Sequence, residues 1–185
     1  MKKLHMSLRV KSIALSSLVL LGLSGCGGGI SSKSTQTEAT QTLAQQIQEF
    51  EASGQLPKLD RSSDIKGPDS NNNGIRDDIE TWIAAQRVSD TQKNAMQQAA
   101  RVRQAELLVD LHDKAELDRL GDASMASVKC LRLSFMPDYQ QGYDLGSKIV
   151  AMTANTKERA KQYIAYNRAV SGSSGRLPEG NTCEP

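Results

Sequence analysis

Aromatic side chains are scarce in this 185-residue chain, at 4% (one Trp, two Phe and four Tyr), which argues against an extended platform for stacking sugar rings. Histidine is scarcer still, with two residues, and cysteine stops at three. Beyond residue 25 the only His is His112, so nucleophile–imidazole pairs have little to draw on. In ELLVDLHDK it sits among charged residues on an expected helix, where Glu106, Asp110 and Asp113 form an acidic face. Such a face is ordinarily solvated, and a cation site is its alternative reading. The sequence contains neither a phosphate-cradling glycine loop nor a nucleophile elbow. Alternating β-branched runs are also missing, which removes the usual signal for strands. The longest apolar run, Ile13 to Leu23, is too short to span a bilayer.

That run has its own meaning. Lys2, Lys3, Arg9 and Lys11 precede it and small residues come after it, the layout of a secretory signal. Leu23-Ser24-Gly25-Cys26 resembles the lipobox of bacterial lipoproteins, in which the Cys becomes the lipidated first residue of the mature chain. The resemblance implies a diacylglyceryl group and an amide-linked palmitate-type chain on Cys26, and two or more acyl chains give stable anchorage. Gly27 in place of an Asp implies, by the same resemblance, the outer membrane, facing either the periplasm or the cell surface.

Loss of residues 1–25 would also reverse the charge. The full chain has 23 Lys and Arg against 21 Asp and Glu; removing the four basic residues above leaves 19 against 21, net −2. A mature chain of 160 residues (185 minus 25) with that balance is not expected to bind nucleic acid. Gly27 to about Gln41 is rich in Gly, Ser, Thr and Gln, the composition of a flexible tether. We therefore read 1–25 as signal peptide, 26–55 as lipidated Cys and tether, and 56–185 as the folded domain. Leu43, Ile47 and Phe50 mark either a short docking helix or a helical part of the tether. Cys130 and Cys183 then remain as an even pair in an oxidising compartment, which predicts a disulfide between them.

Residues 69–80, DSNNNGIRDDIE, carry the main chemical signal. Asp69, Asn71 and Asn73 stand at positions 1, 3 and 5 of a twelve-residue loop; Gly74 is sixth, where the chain turns sharply. Ile75 offers a backbone carbonyl at the seventh position, Asp77 is ninth, and Glu80 closes the loop as a bidentate carboxylate. An all-oxygen set of this kind suits Ca²⁺, and Mg²⁺ less well because it demands tighter octahedral geometry. An Asn/Asp/Gly-rich stretch can also be only a turn, but here the Gly, the ninth Asp and the twelfth Glu all agree with one template. The loop resembles an EF-hand. Gly67-Pro68 forbids a regular helix running into Asp69, and Arg76 replaces the aliphatic residue that pairs two EF-hand loops. It is accordingly more similar to the single calcium loops of bacterial surface proteins and thrombospondin type 3 repeats.

Helical periodicity dominates the chain from the end of this loop to about Val170. Ile79, Trp82 and Ile83 place Glu80 on the first turn of a helix with an apolar face. Ser89 with Gln92 reads as a capping box opening a stripe of Met96, Ala99, Ala100, Leu107, Leu108 and Leu111, ended by Gly121. Met125, Val128, Leu131 and Phe135 predict a further helix stopped by Pro137, and Leu145, Ile149 and Met152 another. Asn155 with Glu158 predicts a cap before Ala160, Tyr163, Ile164 and Val170. The expected fold class is all-α, a small irregular helical bundle with one calcium loop, preceded by a flexible tether. The expected function is that of an outer-membrane-anchored lipoprotein with a structural Ca²⁺ loop, a non-enzymatic envelope module with an unidentified protein partner. The alternative is a periplasmic hydrolase, or a hydrolase accessory protein, using a bound cation.

Overall fold

The computed structural model describes residues 42–184; Cys26 and the rest of the expected signal and tether through residue 41 lie outside them. Six helices make up the described chain: α1 Leu43–Ala52, α2 Asp77–Ala84, α3 Asp90–Leu108, α4 Lys114–Ser134, α5 Tyr139–Thr153 and α6 Lys157–Ala169. No strand occurs among the described residues, so the all-α class holds. No helix among them is long and apolar enough to cross a membrane.

The helix starts are mostly local chemistry. Ser89 accepts from the Gln92 N–H while the Gln92 side chain reaches back to the Ser89 N–H, closing the capping box at the head of α3. Thr42 and Gln45 do the same for α1, so Leu43, Ile47 and Phe50 do belong to a helix. None of its residues is buried. At the head of α2 no side chain caps, but Asp77, Asp78 and Glu80 fill the first turn, where negative charge complements the helix dipole.

Two boundaries differ from expectation. Gly121 lies inside α4 rather than at a helix end, because the break falls at Val109–Asp113, where Asp113 caps α4 by accepting from the Glu116 N–H. His112 is consequently in an exposed turn, its N–H donating to Asp110 Oδ1, and not on a helix. At α6 the cap is Thr156, which accepts from the Arg159 N–H; Asn155 instead donates to the Asp60 carbonyl.

The main core joins Ile75, Ile79 and Ile83 to Met96, Ala99 and Ala100 of α3, Leu131 and Phe135 at the end of α4, and Leu145, Ile149 and Met152 of α5. Burial of each such Ile contributes roughly 1.5–3 kcal/mol, which is what holds the short α2 in place. Leu117, Leu120 and Tyr166 form a second cluster between α4 and α6. The expected α6 stripe is only partly right, since Ile164 is exposed while Tyr166 is buried. Cys130 and Cys183 are joined in a disulfide, which fixes the C-terminal tail to α4. Along that tail Lys129 donates to the Pro178 carbonyl, Thr182 to that of Ala126, and Gln98 to that of Thr182.

Candidate functional site

The 69–80 segment is a tight loop leading into α2. Asp77 N–H donates to the Pro68 carbonyl at 2.9 Å, closing it, and Asn72 and Gly74 take positive φ values of 55° and 79°. Gly74 meets the sharp turn where a side chain would be strained. Upstream, Pro57 to Pro68 contains no helix, as Gly67-Pro68 requires.

Within the loop each predicted ligand has a defined partner. Asp69 accepts from the Asn73 N–H at 3.1 Å and the Gly74 N–H at 3.2 Å. Asn71 and Asn73 turn their amide groups to Glu80, donating at 3.0 and 2.7 Å, so these three side chains converge. Asp77 is turned aside and accepts from the Ser70 N–H at 2.9 Å and the Ser70 hydroxyl at 2.7 Å. Those two bonds hold the Asp77 carboxyl below its ordinary range. Ile75, expected to offer only its carbonyl, buries its side chain in the core. The Asp69, Asp77 and Glu80 carboxylates thus stay on separate donors, as like charges do when each finds a positive dipole nearby. Among the described residues no three His, Cys, Asp or Glu side chains are gathered closely enough to hold a metal ion. In chemical type, however, the donor set fits a hard cation, since every side chain in it offers oxygen and Glu80 already stands against two amides able to present theirs.

Behind the loop lies a feature that residue patterns did not disclose. Arg76, at the eighth loop position, is 1% exposed and Arg159 is 0% exposed. Arg76 donates Nε to Asp78 Oδ1 at 2.7 Å, and Nη2 to Asp78 Oδ2 at 2.9 Å and to the Met152 carbonyl at 3.0 Å. Asp78 Oδ2 also accepts from the Asp60 N–H at 2.6 Å. Arg159 binds the Asp60 carboxylate and the carbonyls of Asp60, Asp64 and Ile65. Burial would raise the Asp60 carboxyl, but hydrogen bonds from Arg159 and Ser62 outweigh it and hold the group at about 2. Two buried guanidinium groups therefore clamp the helix-free segment 60–67 and the 69–80 loop onto α5 and α6. Buried ion pairs of this kind are tolerated where further hydrogen bonds satisfy them, as the carbonyls do around Arg159; Arg76 is satisfied at Nε and Nη2, while its buried Nη1 has no hydrogen-bond partner among the described residues.

Gly67 sits between the two. A Cβ there would lie 2.5 Å from Arg76 Cδ and 2.8 Å from Arg159 Nη2, and its φ is +67°. On the far side Arg101 passes the loop, with its Cγ 3.7 Å from where a Gly74 Cβ would be, and pairs with Glu184 in the tail. Glu184 is therefore a partnered residue rather than a free surface carboxylate.

The acidic face around His112 is solvated at Asp110 and Asp113, as its sequence suggests, but not at Glu106. Glu106 is fully buried and accepts two hydrogen bonds from Arg103, whereas Asp110 and Asp113 serve as local caps. Burial raises the Glu106 carboxyl, with Arg103 opposing it. No protein-family model, curated protein or solved structure matches the chain.

Proposed function

We propose that the protein is an outer-membrane-anchored lipoprotein whose 69–80 loop binds one Ca²⁺, acting as a non-enzymatic structural or interaction module of the envelope. The observation that carries the cation reading is the convergence of Asn71, Asn73 and Glu80 at the head of a helix whose Ile79 and Ile83 are in the core. Asp69, Asn71, Asn73, Asp77 and Glu80, with the Ile75 carbonyl, would hold the ion. Bound there, it supplies the positive charge that three neighbouring carboxylates otherwise lack.

The consequence is mechanical. Glu80 lies one residue after Ile79 and four after Arg76, so order in the loop is order in α2 and in the clamp behind it. Three charged ligands and a single loop suit a dissociation constant nearer the ~10⁻⁴ M of extracellular modules than that of cytosolic sensors. At Ca²⁺ a hundredfold above that constant, linkage adds roughly 2.7 kcal/mol to stability. The anchorage rests on Leu23-Ser24-Gly25-Cys26 and the short apolar run before it.

Thermal melts in Ca²⁺, Mg²⁺ and chelator test the first half. Wild-type protein should melt highest in Ca²⁺, Glu80→Gln should lose most of the gain, and Glu179→Gln, an exposed carboxylate outside the loop, should keep it. Three superimposed wild-type curves would leave the loop as a turn. Fractionation tests the second half: Cys26→Ser should move the protein from the membrane fraction to the soluble one, and retention through a carbonate wash would refute the lipid anchor.

A further inference from the structure

A cavity of about 950 Å³ opens between α4, α6 and the end of α3, closed on one side by the Ser171–Gly175 strap. None of the 69–80 loop residues lines it. Its volume falls within the roughly 300–1,000 Å³ of small-molecule sites.

The wall holds a prepared donor. Arg103 Nη1 donates to both Glu106 oxygens at 2.8 Å, and its Nη2 donates to Ser124 Oγ at 2.6 Å. Glu106 has 0% side-chain exposure, whereas Arg103 keeps 16%. The buried carboxylate and the hydroxyl thus fix the guanidinium while part of its fork stays open, the arrangement that receives a carboxylate in two-point fashion. Beside it Tyr166 is 4% exposed, and no protein group among the described residues hydrogen-bonds its hydroxyl. That hydroxyl is not among the polar atoms buried away from solvent, so it is open to a ligand at the cavity wall. Burial and then the Glu106 charge push that phenol up to about 12, which keeps it a donor at neutral pH.

Charges of both signs lie along α4. Lys114, Asp118 and Asp122 recur every four residues and all line the cavity, spanning about 12 Å of helix at 1.5 Å per residue. Leu117 and Val170 supply apolar wall between them. Two lining carboxylates in addition to Glu106 disfavour a polyanion, and Arg103 with Lys114 disfavours a polycation.

We propose that this cavity binds a short zwitterionic peptide, its carboxylate received by Arg103 and the Tyr166 hydroxyl and its ammonium by Asp118 and Asp122. The ligand class does not depend on the cation loop.

Isothermal titration calorimetry on the full chain, with trialanine, N-acetyl-trialanine and trialanine amide as probes, tests it. Trialanine should bind saturably, and each blocked peptide about tenfold more weakly, a difference equivalent to one lost charged contact. Because Arg103→Gln would strand buried Glu106, the informative variants are Tyr166→Phe and Asp122→Asn. Tyr166→Phe removes a hydroxyl that no protein group needs and should weaken trialanine about fivefold while sparing trialanine amide. Asp122→Asn, at an exposed position, should narrow the gap between trialanine and its acetylated form. No heat with millimolar trialanine, equal binding of all three peptides, or both variants behaving as wild type would each overturn the proposal.

Discussion

Arg159 and Asp60 meet at 2.5 Å although 99 residues separate them in the chain, and their contact ties the helix-free segment before the 69–80 loop to the last helix. Asp60 keeps its charge far into acid because of it, at about 2 against an ordinary 3.8. A carboxyl held below its unfolded value contributes stability that is fully present above about pH 4 and fades as pH falls through about 2. Melting curves of wild type and Asp60→Asn should therefore differ most at neutral pH and converge between about pH 4 and pH 2. A constant gap across that window would mean that Asp60 acts through shape and not through charge. Arg159→Met removes the other partner, leaves carbonyls of Asp64 and Ile65 unpaired, and should cost about 3–5 kcal/mol in urea unfolding.

Gly67 tests whether the two buried arginines are rigid. Its Cβ position is occupied by Arg76 and Arg159 atoms that are themselves bonded to Asp78, Met152 and Asp60, so neither can swing away cheaply. With the positive φ added, Gly67→Ala should lose about 2–4 kcal/mol in chemical denaturation. Gly121→Ala is the matched control: nothing lies within 4 Å of its Cβ position in α4, and helix propensity alone should give a gain of about 0.5–1 kcal/mol. Equal effects at the two sites would contradict the clamp.

The Cys130–Cys183 bridge closes a separation of 53 residues, for which the chain-entropy account gives roughly 4 kcal/mol. Cys183→Ser should lower the melting temperature. In hydrogen exchange the first amides to lose protection should be those of the tail, since only a few side-chain bonds, from Gln98, Lys129, Arg101 and Thr182, would still hold it. Uniform loss across α3 and α4 would show instead that the bridge supports the core.

Much of the fold could be read from residue order, because the relevant forces act over a few positions. A capping box needs only Ser89 and Gln92; a stop needs only Pro137; a stripe such as Leu145, Ile149 and Met152 needs only the helical repeat. The oxygen-bearing spacing from Asp69 to Glu80 is legible for the same reason, as is the disulfide from the even pair Cys130 and Cys183. Errors arose where a local signal had a distant competitor. Asn155 could have capped α6, but the Asp60 carbonyl engages its amide and Thr156 caps instead. Gly121 could have ended a helix, but Asp113 had already opened α4 eight residues earlier.

The burial of Arg76, Arg159 and Glu106 belongs to the tertiary structure alone. In sequence they look like surface charges, and the default for such residues is solvent. Moving them inside is tolerable only when partners arrive from elsewhere: the Met152 carbonyl for Arg76, Asp60, Asp64 and Ile65 for Arg159, and for Glu106 its helix neighbour Arg103 held in place by Ser124 of α4. Sequence therefore determined the helices, the bridge and the composition of the loop, because each depends on neighbours or on residue type. Folding decided which charges leave water, because desolvating a charge is affordable only where the completed chain has already assembled its hydrogen-bond partners.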